Sequence, residues 1–236
     1  MTVVIPTYNE RDNVQILLPK LIALRPDLDI IVVDDNSPDG TGAVVEELAL
    51  AHPGRIGVIH GERKQGIGRA YLAGFQLALN GSSPLVAQMD ADLSHGPDDL
   101  SRLLARAESA DLVLGSRYAP GGATSGWPWY RRFISRFGGL YARLVLGVPI
   151  ADLTGGFKVY RRETLERIGL DAVRSDGYVF QIETTYRALR DGLAVVEVPI
   201  TFHERVAGQS KLSRRIVVEA MIVVWRLRFD RTLRSR

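Results

Sequence analysis

Asp90-Ala91-Asp92 sets two carboxylates two residues apart, directly after the apolar run 85–89. Where a chain leaves the extended form, such a pair can converge on one hard cation. Mg2+ or Mn2+ takes oxygen ligands and is often shared with substrate phosphates. A cation there can stabilise the charge developing on a departing diphosphate. The competing reading is a strand-end turn with Asp in capping positions, and D-x-D alone is a weak signal. Three further polar clusters strengthen it, each after its own apolar run: Pro6-Thr7-Tyr8-Asn9-Glu10, Asp34-Asp35-Asn36-Ser37-Pro38-Asp39-Gly40, and Gly115-Ser116-Arg117-Tyr118. A carboxylate at Asp35 can accept hydrogen bonds from a base or a ribose, whereas Asp39, before Gly40-Thr41, reads mainly as a helix cap. Lys64 lies in Arg63-Lys64-Gln65-Gly66-Ile67-Gly68 ahead of a helical segment. Glycines, a lysine and a helix N-terminus make a seat for a diphosphate. The spacing and Ser/Thr of a P-loop are absent, and a solvent-exposed turn is the alternative.

These clusters need elements to position them. Apolar runs at 2–5, 29–33, 55–59, 85–89 and 112–114 predict short buried strands; amphipathic stretches at 12–24, 41–51, 67–80 and 98–108 predict helices. The alternation implies an α/β fold with a mostly parallel sheet covered on both faces. Ligands bind such sheets beyond the carboxyl ends of the strands, where all four clusters fall. After residue 118 the pattern changes. The Gly-rich stretch 119–127 is expected to be a mobile loop. Residues 129–148 predict an amphipathic helix, with Arg132, Ser135, Arg136, Gly139 and Arg143 on one face and Phe133, Phe137, Leu140 and Leu144 on another. Residues 152–162 read as a loop entering a strand, 180–190 as a helix, 194–198 as a strand and 213–229 as a helix.

The 236 residues are 46% hydrophobic and 24% charged, enough to bury a sizeable core, and one domain spanning 1–236 is expected. With no cysteine there is no disulfide framework or thiolate metal site, which suits a reducing compartment. No basic segment precedes a long apolar run at the start, so no signal peptide is expected. The longest apolar candidate, 216–225, is broken by Glu219 and falls short of the roughly 18 residues a spanning helix needs. Charge is segregated. Residues 1–126 carry 10 Lys and Arg against 16 Asp and Glu, or −6; residues 127–236 carry 20 against 11, or +9. The acidic part can hold a metal, and the basic part can hold phosphates or an anionic membrane surface. Two stretches suit a bilayer interface: 129–146, mixing aromatics with Arg, and 212–229, followed by an Arg-rich tail to Arg236. In the second, Arg215, Glu219, Arg226 and Asp230 form a narrow charged stripe. Packing of both against the sheet is the alternative.

The four polar clusters together resemble the large inverting glycosyltransferase family with the GT-A fold. Trp127-Pro128-Trp129-Tyr130-Arg131-Arg132, Asp152-Leu153-Thr154-Gly155-Gly156-Phe157, and Arg205 followed by Gly208-Gln209-Ser210-Lys211-Leu212 extend the similarity to the dolichol-phosphate or polyprenol-phosphate mannose synthases, over nearly the whole chain. The resemblance implies a GT-A, Rossmann-like sheet flanked by helices, with C-terminal amphipathic interface helices. Residues 1–118 would be the nucleotide-sugar-binding half and 119–236 the acceptor and membrane-facing half. It implies GDP-mannose as donor, held by Pro6, Thr7, Tyr8, Glu10, Asp35, Lys64, Asp90, Ala91, Asp92, Arg205 and Lys211. Asp90 and Asp92 would carry Mg2+ or Mn2+. The phosphate of a polyprenyl phosphate lipid would meet Arg117, Arg131 and Ser135; Asp92, Arg117, Arg131 and Arg205 would be the catalytic set, and transfer would invert the anomeric centre. Many relatives carry Gln two residues after the second Asp; here Ser94 stands there, with water as the expected replacement. The implied setting is cytoplasmic and peripheral, on an anionic membrane surface or a membrane-anchored partner, with no nucleic acid.

A phosphate acceptor is already anionic at neutral pH, so no dedicated general base is expected. The difficulty is to bring two anions together, which calls for fixed cations, and the planar fork of Arg suits phosphate. Asp152 and Glu183 are weaker site candidates, with a turn cap and a buried partner as their respective alternatives. Other readings are the same fold using UDP-glucose or another acceptor, a sugar nucleotidyltransferase, which would need a Gly-rich basic loop that residues 6–10 lack, and a non-catalytic binding module.

Overall fold

A computed structural model describes residues 1–204 and 214–230, the side chains of 214–219 excepted. The chain runs β1 (Thr2–Thr7), α1 (Arg11–Leu24), β2 (Asp29–Asp34), α2 (Thr41–Ala51), β3 (Ile56–His60), α3 (Ile67–Asn80), β4 (Leu85–Gln88), α4 (Pro97–Arg106), β5 (Leu112–Ser116), β6 (Ala123–Ser125), α5 (Trp129–Leu146), β7 (Lys158–Arg161), α6 (Arg162–Arg167), α7 (Gly177–Arg190), β8 (Val195–Pro199), β9 (Thr201–His203) and α8 (Arg214–Phe229). Seven strands form one sheet in the order β3-β2-β1-β4-β7-β5-β8. All its pairings are parallel except those of β7, which lies antiparallel to both β4 and β5.

Successive side chains on a strand point to opposite faces, so the continuous apolar strands feed two cores. From β1, Val3 and Ile5 join Leu17, Leu21, Leu100 and Leu103 under α1 and α4. Val4 joins Tyr71, Phe75, Tyr160 and Phe180 on the side of α3 and α7. Helix α3 approaches β1 so closely that a Cβ on Gly74 would lie 2.2 Å from Val4 Cγ1. That closeness sets the helix N-terminus beside the strand ends.

Some expectations need correction. β1 runs through Pro6 and Thr7, so part of the first polar cluster is strand rather than turn. Residues 119–127 are not a featureless mobile loop: they contain β6, which pairs in parallel with β9, itself unexpected from sequence. On α5, Phe133, Phe137, Leu140 and Leu144 are exposed, while Gly139, Ala142 and Leu146 face the core. The amphipathic helix is therefore present as expected, and it is the alternative, packing of this apolar face against the sheet, that does not hold. On α8, Val224 and Leu227 are buried, whereas Met221, Ile222, Trp225 and Phe229 are exposed. Arg205, Lys211, the Gly208–Leu212 motif and the basic tail lie outside the described residues.

Candidate active site

The carboxyl ends of β1, β2 and β4 open into a cleft of about 360 Å³. One end is walled by Pro6, Thr7, Tyr8, Glu10, Asp35, Lys64 and Gly66, the middle by Asp90, Ala91 and Asp92, and the far end by Thr154, Gly156, Tyr178 and Gln181. The donor residues expected from sequence within the described chain are therefore brought together. Backbone strain gathers here too. Asn9, Asn36 and Leu93, which follow β1, β2 and β4, are the non-glycine residues with positive φ among the described residues, at 61°, 57° and 60°.

At the first end, Asp34 is structural. Its carboxylate accepts from Thr7 Oγ1 at 2.9 Å, Ser37 N at 3.0 Å and Ser37 Oγ at 2.5 Å. Asp39 caps as expected, although the residue at the cap position is Gly40: Asp39 Oδ1 accepts from Thr41 N at 3.0 Å, and Oδ2 accepts from Arg11 N at 3.2 Å, joining the starts of α1 and α2. Asp35 lines the cleft, but its Oδ2 accepts from the amides of Gln65 and Gly66 at 3.0 and 3.1 Å. It thus ties down the loop that carries Lys64, whose Nζ lies 3.5 Å from the Tyr8 ring centroid. The far side of that loop is held by Asp176, which accepts from Gly68 N at 2.6 Å and caps α7 through Gly177 N at 2.7 Å.

Gly66 has φ 106°, and a Cβ there would lie 1.9 Å from Asp176 Oδ2. Gly66→Ala is expected to cost about 1–3 kcal/mol from the backbone alone and to raise the Km for the donor by displacing Lys64. Urea unfolding with steady-state kinetics checks this; an unchanged Km would show that the loop does not touch the donor.

In the middle, each carboxylate is held by a neighbour. Tyr71 of α3, fully buried, donates to Asp90 Oδ1 at 2.9 Å. Burial and the adjacent Asp90 push the Tyr71 phenol well above its ordinary range, so it stays a donor. Ser94 donates to Asp92 Oδ1 through its N at 3.1 Å and its Oγ at 2.5 Å. Its role in the structure is thus to orient Asp92. The pair fits a hard divalent cation: both lie on the cleft, and a Cβ at Gly156 would stand 3.3 Å from Asp90 Oδ2, so the glycine keeps that approach open. No third His, Cys, Asp or Glu completes a cluster among the described residues. Water and phosphate oxygens would supply the remaining ligands.

Beyond the cleft, Arg117 is held by a buried carboxylate. Its Nε and Nη2 donate to the two oxygens of Asp152, both at 2.7 Å, and Nη2 also donates to Thr154 Oγ1 at 2.8 Å. Arg117 is 7% exposed and Asp152 0%. Only Nη1 is without a partner among the described residues. Burial alone would raise the Asp152 carboxyl, but the Arg117 charge and hydrogen bonds outweigh it and hold it below the ordinary value. The same pairing raises Arg117 against its own burial. Arg131 lies over the Trp127 ring, 4.2 Å from its centroid, and 3.4 Å from Glu204. Ser135 Oγ is 2.7 Å from the Tyr118 hydroxyl, and Arg136 lies over that same ring. Arg117, Arg131 and Ser135 thus border one aromatic patch. Glu183 is not at the site: it receives Ser175 N at 3.0 Å and Arg187 Nε at 2.8 Å, the buried-partner role. Sequence reasoning missed Tyr71, Gln181 and Tyr178; the first two look like core residues of their helices, and no local motif marks them.

A mostly parallel sheet with paired carboxylates at the end of its fourth strand is the GT-A architecture of nucleotide-sugar transferases. The chain superimposes with a TM-score of 0.68 on glucosyl-3-phosphoglycerate synthase from Mycobacterium tuberculosis in complex with phosphoglyceric acid, at 20% identity over 94% of this chain and 79% of that one. It superimposes with a TM-score of 0.62 on a mannosyltransferase from Pyrobaculum calidifontis solved with GDP-Man and Mn2+, at 23% identity over 95% of this chain and 62% of that one. These likenesses show the fold. The chain belongs to glycosyl transferase family 2, whose profile matches residues 2–169. It is 51% identical to polyprenol monophosphomannose synthase from Mycolicibacterium smegmatis, over 96% of this chain and 86% of that protein. To undecaprenyl-phosphate mannosyltransferase from Micrococcus luteus it is 47% identical, over 94% and 91%.

Proposed function

We propose that the chain transfers mannose from GDP-mannose to the phosphate of a polyprenyl phosphate, with inversion, at a membrane surface. The observation that carries this reading is the identity of about half the residues to two polyprenyl-phosphate mannosyltransferases, over the acceptor half as well as the donor half.

The site's own chemistry supports it. Tyr8 and Asp35 would hold the nucleoside end, and Lys64 would meet the diphosphate. Asp90 and Asp92 would hold Mg2+ or Mn2+, which supplies charge stabilisation to the leaving diphosphate. Arg117 Nη1, Arg131 and Ser135 face the side from which an acceptor phosphate would come. Its second pKa lies near ~6, so the nucleophile is anionic without a base. Glu10, Asp35, Asp90 and Asp92, the carboxylates on the cleft, each accept a hydrogen bond from the protein. Positive charge held beside the acceptor offsets its repulsion from the donor.

The membrane side would be α5 and α8. Trp129, Phe133, Phe137 and Leu144 on α5 and Trp225 and Phe229 on α8 are exposed, and Tyr141 Oη donates to Met221 O at 3.2 Å across the two helices. No helix among the described residues is long and apolar enough to cross a bilayer; the contact proposed for α5 and α8 is interfacial, on the cytoplasmic face. Binding to vesicles containing anionic lipid at low salt is expected, weakened by Phe133→Ser with Phe137→Ser. A chain that sediments no better with vesicles than alone would defeat this part.

The direct test is transfer of radiolabel from GDP-mannose to a short polyprenyl phosphate with Mn2+, counted in the organic phase, with EDTA and UDP-glucose as controls. Metal-dependent label from GDP-mannose is expected. Label from UDP-glucose instead would replace the donor assignment.

A further inference from the structure

A buried hydrogen-bond chain beneath the cleft fixes the orientation of one side chain at its far end. The main-chain oxygen of Gly156 can only accept. It receives Gln88 Nε2 at 2.8 Å, and Gln88 Oε1 turns to the Tyr160 hydroxyl, also at 2.8 Å. The same Gln88 Nε2 lies 2.6 Å from the Gln181 side chain, and a donor there needs an acceptor. Gln181 must therefore offer Oε1 to the core and turn its NH2 the other way; the flipped amide would set two NH2 groups face to face. The Gln181 main chain is pinned as well, its carbonyl accepting from buried Lys158 Nζ at 2.7 Å.

The other way is into the cleft. Gln181 lines it while only 4% exposed, and its Nε2 has no partner among the described residues. A Cβ at Gly156 would lie 3.5 Å from Gln181 Nε2 and 3.3 Å from Asp90 Oδ2, so amide and carboxylate flank the space the glycine leaves open. Along the sheet edge, β2 and β1 carry the nucleoside side, β4 the carboxylates, and β7 comes next, just after Gly156. A donor laid across that edge with its diphosphate at β4 puts its sugar over Gly156. Tyr178, three residues before Gln181 and so on the same face of α7, adds an aromatic wall.

We propose that Gln181 reads the transferred sugar, its amide NH2 donating to a hydroxyl oxygen of the hexose; this rests on the donor reading above. A neutral amide suits a hydroxyl, where a cation would suit phosphate.

Gln181→Glu keeps an acceptor for Gln88 and replaces only the cleft-facing NH2; Gln181→Met removes the donors without adding charge. Calorimetry with GDP and with GDP-mannose, both with Mn2+, is paired with kcat/KM for the monodeoxy GDP-mannoses. The expected result is GDP affinity within about threefold of wild type, kcat/KM for GDP-mannose down about tenfold or more, and one deoxy donor that costs wild type about tenfold but costs the variants nothing further. Equal weakening of GDP and GDP-mannose, or variants as sensitive as wild type to every deoxy donor, would overturn the proposal. If wild type is idle with GDP-mannose, the donor reading falls, and the deoxy series of the nucleotide sugar it does use tests Gln181 in the same way.

Discussion

Asp92→Asn is expected to lower kcat for mannosyl transfer by about 10³-fold without unfolding the protein. Asparagine keeps an oxygen that can accept from Ser94 N and Oγ, so the turn with Leu93 at φ 60° retains its hydrogen bonds. What it loses is a full charge that, on the proposed reading, serves the metal and the diphosphate, and removal of one such electrostatic group typically costs two to three powers of ten in rate. Single-turnover kinetics across a Mn2+ titration, with thermal unfolding as a control, separates the two effects. Near wild-type turnover at saturating metal would move the charge-stabilising role elsewhere, with Asp90 and the arginines as the remaining candidates.

Asp152→Ala should be the most damaging single change to stability. It would strand the Arg117 guanidinium, 7% exposed, without its bidentate partner. Breaking a buried pair from one side typically costs about 3–5 kcal/mol, whereas removing both charges together is far milder. Urea denaturation of Asp152→Ala, and of Arg117→Met with Asp152→Leu, should therefore rank the double variant as the more stable. A single variant within 1 kcal/mol of wild type, by the same about 3–5 kcal/mol yardstick, would mean that the pair relaxes into water. The pH dependence has a definite sign. A carboxyl depressed in the fold stabilises above its unfolded pKa of ~3.9, and that contribution disappears as pH falls below it toward the folded value. Wild-type stability should fall with acidification from about pH 4, and Asp152→Asn should lack that part of the slope.

The parts of the fold written in contiguous apolar text were legible. Val3-Val4-Ile5 and Ile30-Ile31-Val32-Val33 read as short strands of a covered sheet, and the alternation with helices placed the polar residues that follow them at one edge. β7 was less readable as a central strand because Lys158-Val159-Tyr160-Arg161 carries charge at both ends, and nothing local tells that Lys158 is fully buried with Gln181 O and Thr184 Oγ1 as partners. The Arg117–Asp152 pair spans 35 residues, a separation at which sequence shows two good candidates but not that they satisfy each other. On α5 the helical period was correct, but periodicity marks an apolar stripe without saying whether protein covers it.

The position of β7 has a consequence for how the chain comes to its final form. β4 and β5 have no direct pairing; each meets the sheet's other half only through this four-residue strand. Until residues 158–161 arrive, β4 shows an unpaired edge, and β5 remains apart from the β3-β2-β1-β4 group. Such edges template pairing with other chains, and joining them depends on contacts distant in sequence, which form late because loop closure must come first. During synthesis, the first hundred-odd residues therefore already hold both carboxylates of the cleft but not the strand that closes the sheet beside them. The Asp90 and Asp92 turn gains its far wall, Gly156 and Gln181, only when the ribosome has delivered most of the polypeptide.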